Sequence, residues 1–202
     1  PSASSAASDV YKRQAFIWTC LSTALWFFQL EIINNFTNDS AVKTQIFGRA
    51  DSIVPIITLA TQLLLTSYFL RSKYLGIRFV LTMYGVLFTV AFLGVSGYFS
   101  EYLLSASGIT LFLILQGTMR PFEYGLNKPA REAVFTTLST KEKYKSTVFI
   151  DTFTNRFGDA TGGLLFNSLL SFGLLLYAAP LAIIPLAIFL INLGWSISKD
   201  ID

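Results

Sequence analysis

The sequence predicts an all-α integral membrane protein with about six transmembrane helices. Hydrophobic residues make up 53% of the 202-residue chain and charged residues 13%, whereas about 25% of an average soluble domain is charged. A soluble fold of this size needs more polar residues to cover its surface, but a helix that spans a bilayer needs an apolar exterior. The charged residues also cluster between apolar stretches, which is typical of a multi-pass membrane protein.

The apolar stretches that define these helices have the length of about 20 residues that crosses a bilayer. The fifth is less apolar than the others, and the sixth contains Pro180 and Pro185 in its first half. Neighbouring helices can accommodate proline within a membrane. The six predicted spans cover residues 15–33, 48–70, 79–98, 102–124, 147–172 and 174–197.

The first fourteen residues, PSASSAASDVYKRQ, are small and polar, then basic, and they join the first apolar helix abruptly. They resemble the translated adapter sequence that contaminates some assembled sequencing reads. A signal peptide would place its charges before its apolar stretch, which this segment does not do. We therefore expect residues 1–14 to be foreign and to add nothing to the fold. Residues 15–202 should form the six-helix domain of a protein that continues upstream.

Lysine and arginine residues in the loops predict the orientation of the helices. Nine of them fall on one side of the membrane and two, Lys43 and Arg49, on the other. Because cytoplasmic loops carry the excess of basic residues, both ends of the six-helix unit should face the cytoplasm. The nine are Arg71, Lys73, Arg78, Lys128, Arg131, Lys141, Lys143, Lys145 and Lys199.

The composition excludes several kinds of chemistry. Histidine is absent and Cys20 is the only cysteine, so a His-based metal site, a Ser–His triad and an internal disulfide are impossible. The net charge of +3 without a long basic run gives no reason to expect nucleic-acid binding. The Gly-rich phosphate loop of ATPases is also missing. We expect no enzymatic activity, no cofactor and no metal site.

Polar residues within membrane helices are costly and mark functional sites by default. On three predicted helices they recur three or four residues apart, which places them on one face and suggests a water-filled path. The alternative is a set of buried ion pairs, in which Arg120 binds Glu123 and Arg156 binds Asp151 or Asp159. The residues are Asp51, Thr58, Gln62 and Thr66 on the second helix, Gln116, Arg120 and Glu123 on the fourth, and Asp151, Asn155 and Asp159, with Arg156 beside them, on the fifth.

Two local patterns bear on how the helices are arranged. Gly158 and Gly162 have the GxxxG spacing that lets two helices approach closely, which favours a packing contact. Pro129 can start a short helix, because its missing N–H costs nothing in the first turn. A partial apolar face followed by lysines then suits a helix on the membrane surface; a simple topological anchor is the alternative.

Four short motifs in the same part of the chain resemble the ATP/ADP translocase (nucleotide transporter) family and its bacterial relatives within the major facilitator superfamily. The motifs are KPARE at residues 128–132, KYK at 143–145, IDT at 150–152 and RFGDATGG at 156–163. The resemblance implies the C-terminal half of a twelve-helix transporter in the bacterial inner membrane, with the missing N-terminal half as its partner. It also implies nucleotide exchange by alternating access around a site near the membrane midplane.

The resemblance also implies roles for individual side chains. Arg120 and Arg156 would bind the phosphates, and Asp151 and Asp159 would orient the arginines or take part in ion coupling. Members of the family tend to have lysine where this chain has Asp159. Asn155, Gln116, Glu123 and Gln62 complete the expected substrate-binding set, and Lys128, Arg131 and Glu132 would form a cytoplasmic gate.

The same residues are compatible with two other functions. One is a major-facilitator-type transporter of another solute, with or without proton coupling through Asp151, Asp159 or Glu123. The other is a membrane-embedded enzyme, for which Asp51 and Asp151 form the only catalytic pair that can be suggested.

The loop charges generate a test of orientation. In an intact cell, a cysteine introduced as Lys141→Cys should react with a membrane-impermeant reagent only from the cytoplasmic side, because positively charged loops stay there. The parent chain, whose single cysteine is Cys20, controls for background labelling. Labelling from outside the cell would overturn the orientation.

Overall fold

The computed structural model describes residues 3–71, 76–100, 108–135, 144 and 147–197, and these residues form helices and turns without a β-strand. Eight α-helices and three π-helical turns make up the described part of the chain. They are α1 (Ala3–Phe36), α2 (Ser40–Thr61), π1 (Gln62–Thr66), α3 (Ser67–Arg71), α4 (Ile77–Phe99), α5 (Gly108–Phe122), π2 (Glu123–Asn127), α6 (Lys128–Phe135), π3 (Ile150–Thr154), α7 (Asn155–Ser171) and α8 (Ala179–Ile197).

These elements form six consecutive helical segments, as the sequence predicts, because each π-turn continues a helix without a break. Four of the segments contain a helix long and apolar enough to cross a membrane. The predicted spans over 102–124 and 147–172 do not reach that standard within the described residues. The four candidates are Lys12–Phe36, Ser40–Phe69, Phe79–Phe99 and Ala179–Ser196.

The first segment begins earlier than predicted. Its helix starts at Ala3 rather than at residue 15 and continues through the segment that we expected to add nothing to the fold. Gln14 is buried, and the ammonium group of Lys12 lies 5.9 Å from the centre of the Phe149 ring. The end of this segment therefore takes part in packing, while its foreign origin stays a prediction.

The last segment begins later than predicted, at Ala179 instead of residue 174, because a turn separates it from α7. Gly173 adopts a left-handed conformation, with φ of 81°. Its N–H donates to the Leu170 carbonyl at 3.0 Å, and the Leu174 N–H donates to the Leu169 carbonyl at 3.2 Å. This pair of bonds is the Schellman arrangement, which ends a helix and satisfies its last carbonyls.

Helix α1 lies at the centre of the molecule and contacts α5, α7 and α8, while α4 packs along α8 and α2 packs along α5. Apolar side chains from α1, α4 and α8 supply most of the buried core, which removes a large apolar area from contact with the surroundings. Its most deeply buried members include Leu21, Leu25, Phe28, Phe88, Phe92, Val95, Ile183 and Leu190.

Contacts between the segments show that consecutive segments run in alternating directions, as a chain that crosses a membrane repeatedly must do. Residue numbers rise together along a parallel helix pair and in opposite senses along an antiparallel pair. Parallel pairs are α1 with α4 (Trp18–Tyr84, Phe28–Phe92), α1 with α7 (Thr19–Asn155, Thr23–Asp159) and α2 with α5 (Asp51–Arg120, Gln62–Tyr124). Antiparallel pairs are α1 with α5 (Gln29–Gln116, Ile32–Gly108) and α4 with α8 (Gly85–Ile191, Leu81–Gly194).

The span Ser40–Phe69, which includes α2, presents its apolar side chains outward. Only 6% of its apolar stretch is buried, and its exposed members include Ile56, Leu63 and Leu64. An exposed apolar surface of this kind is stable in lipid or against another protein rather than in water.

The predicted GxxxG contact is confirmed and joins α7 to α1. A methyl group added at Gly158 would lie 2.8 Å from the Thr19 Cβ, and one added at Gly162 would lie 2.9 Å from the Thr23 Cβ and also meet the Cys20 carbonyl. Both glycines are buried. The two backbones can therefore approach this closely only because neither glycine carries a side chain.

This contact predicts opposite effects of two glycine-to-alanine changes. Gly162→Ala should destabilise the protein by about 1–3 kcal/mol, because the methyl group overpacks the α1–α7 contact. Gly48→Ala is the matched control, since nothing lies within 4 Å of the added methyl group. It should stabilise the protein by about 0.4–1 kcal/mol through a less flexible unfolded chain. Unfolding midpoints of both variants in detergent micelles measure the difference, and a Gly162→Ala protein as stable as the parent would contradict the packing account.

Candidate functional site

A cavity of about 320 Å³ lies among α1, α4, α5, π2 and α7. Its wall combines aromatic rings with polar side chains, which is the usual composition of a site for a small organic molecule. The aromatic members are Trp18, Trp26, Tyr84, Phe88 and Tyr124, and the polar members are Thr19, Ser22, Thr23, Gln29, Gln116, Arg120, Glu123 and Asp159.

Arg120 is the single cation in the described wall of this cavity. Its Nη1 lies 2.6 Å from Oδ1 of Asp51 on α2, and its Cζ lies 5.9 Å from the centre of the Trp26 ring. The arginine is 43% exposed and the aspartate 63%. The alternative in which Arg120 pairs with Glu123 is therefore wrong, because the ion-pair partner of Arg120 is Asp51.

Polar contacts between α1 and α7 border the same cavity. The Thr23 hydroxyl donates to Oδ1 of Asp159 at 2.7 Å, and one turn earlier the Thr19 hydroxyl lies 3.2 Å from Oδ1 of Asn155. These short side chains can meet because Gly158 brings the backbones together between them. Asp159 is thereby held at the cavity wall.

Two buried polar pairs lie on the α5–π2 side. Nε2 of Gln116 donates to Oε1 of Gln29 on α1 at 2.6 Å, and Nδ2 of Asn127 donates to Oε2 of Glu123 at 2.6 Å. All four side chains are buried. Buried polar groups need such partners, because an unmet hydrogen bond away from water costs free energy.

Hydrogen bonds from two side chains of π1 to backbone carbonyls of π2 join the two turns. The Lys128 N–H donates to the Glu123 carbonyl, and Pro129 has no N–H to offer the carbonyl of Tyr124 or Gly125. Side chains of π1 reach these two carbonyls: Nε2 of Gln62 donates to Tyr124 O at 3.0 Å, and the Thr66 hydroxyl donates to Gly125 O. Helix α2 is therefore tied to the fourth segment at this point as well as at Asp51–Arg120.

The structure brings some of the predicted site residues together and separates others. Gln116, Arg120, Glu123 and Asp159 line one cavity, and Asn155 lies one turn from Asp159. Four other predicted residues do not line it: Gln62 binds the Tyr124 carbonyl, and Arg156, Lys128 and Glu132 are exposed. The side chains of Asp151 and Arg131 lie outside the described residues.

Sequence reasoning missed the contribution of α1. Trp18, Ser22, Trp26 and Gln29 recur four, four and three residues apart and all line the cavity. That spacing places them on one helix face, so the signal was present in the sequence. The stripe contains no charged residue, and its tryptophans resemble ordinary membrane-facing residues. Its signal for a functional site is therefore weaker than that of the charged faces.

Within the described residues, no cluster of three His, Cys, Asp or Glu side chains is arranged to hold a metal ion. No family model, curated protein or solved structure matches the chain. The chemistry of the site must therefore be argued from its geometry. A guanidinium beside aromatic faces, with amide and hydroxyl groups nearby, can bind an organic anion by charge, stacking and hydrogen bonds.

The hydrogen bonds between π1 and π2 predict the effect of removing the Thr66 hydroxyl. Thr66→Val should lower the free energy of unfolding by about 0.5–1.5 kcal/mol, because the Gly125 carbonyl loses its side-chain donor. Thr58→Val is the matched control, since among the described residues that hydroxyl bonds the Val54 carbonyl of its own helix alone, at 2.8 Å. Equal unfolding midpoints for the two variants in micelles would show that the hydrogen bond from Thr66 to the Gly125 carbonyl does not stabilise the fold.

Proposed function

We propose that the chain is the C-terminal half of a nucleotide transporter of the ATP/ADP exchange type, which works by alternating access in the bacterial inner membrane. In this proposal it belongs to the major facilitator superfamily, all six segments cross the membrane, and an N-terminal half completes the transporter. The motifs at residues 128–132 and 156–163 support this assignment by resemblance.

The arrangement of the helices supports the membrane part of the proposal. Four helices are long and apolar enough to span, and the six segments alternate in direction. The two remaining segments, α5–π2 and π3–α7, supply Arg120, Glu123 and Asp159 to the cavity wall. Polar residues of spanning helices face an interior cavity rather than lipid, so these two segments can cross with Arg120, Glu123 and Asp159 turned to the cavity.

The observation that carries the substrate assignment is the position of Arg120. It lies in the cavity wall, partly exposed, with a tryptophan ring beside it. The planar guanidinium can donate two hydrogen bonds to a phosphate at once, and aromatic faces stack with nucleobases at a gain of about 1–3 kcal/mol per base. Trp18 and Trp26 offer such faces in the same cavity.

The proposal assigns different roles to the other predicted residues. Arg156 is exposed and does not line the cavity, so phosphate recognition is assigned to Arg120. Asp159, held by Thr23, would orient the ligand or take part in ion coupling. Lys128 and Glu132 are exposed on α6, where they are free to act at a cytoplasmic gate as proposed.

A second candidate function is transport of another solute, with proton coupling. It is favoured by the charge balance of the cavity wall, where two carboxylates, Glu123 and Asp159, face one cation. The membrane-embedded enzyme has less support, because Asp51, half of its suggested pair, is bound to Arg120.

The nucleotide proposal predicts a graded effect at one position. Arg120→Ala should weaken ADP binding roughly 10- to 100-fold, the loss expected for hydrogen bonds to a charged group. Arg120→Lys should weaken it less, because lysine keeps the charge and loses the planar fork. Isothermal titration calorimetry of the purified chain in micelles, with ADP and with adenosine, measures both. Adenosine should bind all variants similarly, since it lacks phosphates.

Arg49→Ala is the matched control, because Arg49 is exposed on α2 and does not line the cavity. Unchanged ADP affinity in folded Arg120→Ala protein would refute the phosphate role. If the yield of Arg120→Ala protein collapses and is restored by adding Asp51→Ala, the pair is structural and the substrate assignment rests on resemblance alone.

A further inference from the structure

The ion pair between Arg120 and Asp51 leaves the arginine only partly engaged. Within the described part of the chain, the guanidinium makes one hydrogen bond, which joins Nη1 to Oδ1 of Asp51 at 2.6 Å. Nη2 and Nε of Arg120 have no acceptor among the described residues. The carboxylate therefore occupies one position of a fork that could hold two oxygens of a larger anion.

We infer that Asp51 is a specificity-determining residue, which acts as an internal competitor for Arg120 and admits phosphate-bearing ligands in preference to monocarboxylates. The inference rests on the proposed function, because it concerns the same arginine and the same class of ligand. It adds a role for a residue that does not itself line the cavity and that belongs to the least buried of the four candidate spans.

The pair is placed so that a ligand can displace it. Both side chains are reachable, with 43% and 63% of their surface exposed. An exposed ion pair of this kind contributes little to stability. Asp51 also belongs to the same chain as Arg120, which gives its carboxylate an effective concentration of about millimolar or more.

The charge of the ligand determines whether it displaces Asp51 from Arg120. A monocarboxylate offers the same single charge and the same two oxygens as Asp51, so it gains nothing by replacing a carboxylate already in place. A phosphoryl group carries about −1.5 to −2 charges and three acceptor oxygens. It can fill both positions of the fork once it has displaced Asp51.

The experiment compares the parent chain with Asp51→Asn, which keeps the size of the side chain and removes its charge. The probes are ADP and propionate, and binding is measured by calorimetry in micelles. Asp51→Asn should bind ADP about two- to fivefold more tightly, the range for loss of an exposed ion pair. Propionate in large excess should compete with ADP in the variant and not in the parent chain.

The matched control is Glu31→Gln, which makes the same change of net charge on α1 at a residue outside the cavity wall. It should leave both results unchanged, and an equal gain in ADP affinity would reduce the effect to net charge and overturn the inference. Asp51→Ser provides a second uncharged variant if Asp51→Asn folds poorly.

The outcomes separate this inference from the proposed function. If Asp51→Asn weakens ADP binding or leaves it unchanged while Arg120→Ala weakens it as predicted, Asp51 is not a competitor and the phosphate site stands. If neither substitution changes ADP binding in folded protein, the proposed function fails, and the inference fails with it.

Discussion

The close contact between α1 and α7 is the constraint on which the rest of the structure depends. Gly158 and Gly162 bring the α7 backbone against Thr19, Cys20 and Thr23 of α1. Only at that separation can the Thr23 hydroxyl reach the carboxylate of Asp159. The contact uses one face of α1 and leaves its other faces for α5 and α8, so the cavity opens where α1, α4, α5 and α7 meet.

Helix α2 is held by a small apolar contact, in which Ile46 and Ala50 pack with Ile33 and Phe112, and by polar contacts with the fourth segment. Asp51 binds Arg120 at one place, and Gln62 and Thr66 bind the Tyr124 and Gly125 carbonyls at another. The second tie exists because a π-turn and Pro129 leave carbonyl groups that need donors, and an apolar environment enforces that need. Helix α2 is thus joined to the helix that carries Arg120.

Particular residues show how far sequence reasoning reached. The spacing of Gln116, Arg120 and Glu123 predicted that these side chains share a helix face, and all three line the cavity. The same reasoning grouped Arg156 with the Asn155–Asp159 stripe, but the α7 face that packs on α1 contains Asn155, Gly158, Asp159 and Gly162, and Arg156 lies off it. Successive residues on a helix are about 100° apart, so a neighbour in sequence need not share a face.

The sequence alone determined the helical class, the approximate positions of six helical segments and the polar stripes on three of them, because helix periodicity and apolar length are local properties. Only the tertiary structure decided which side chains meet. Arg120 pairs with Asp51 and not with the nearby Glu123, and its aromatic neighbour, Trp26, comes from a different helix. Such partners depend on the rotation and direction of helices packed together from distant parts of the chain, and no local pattern contains that information.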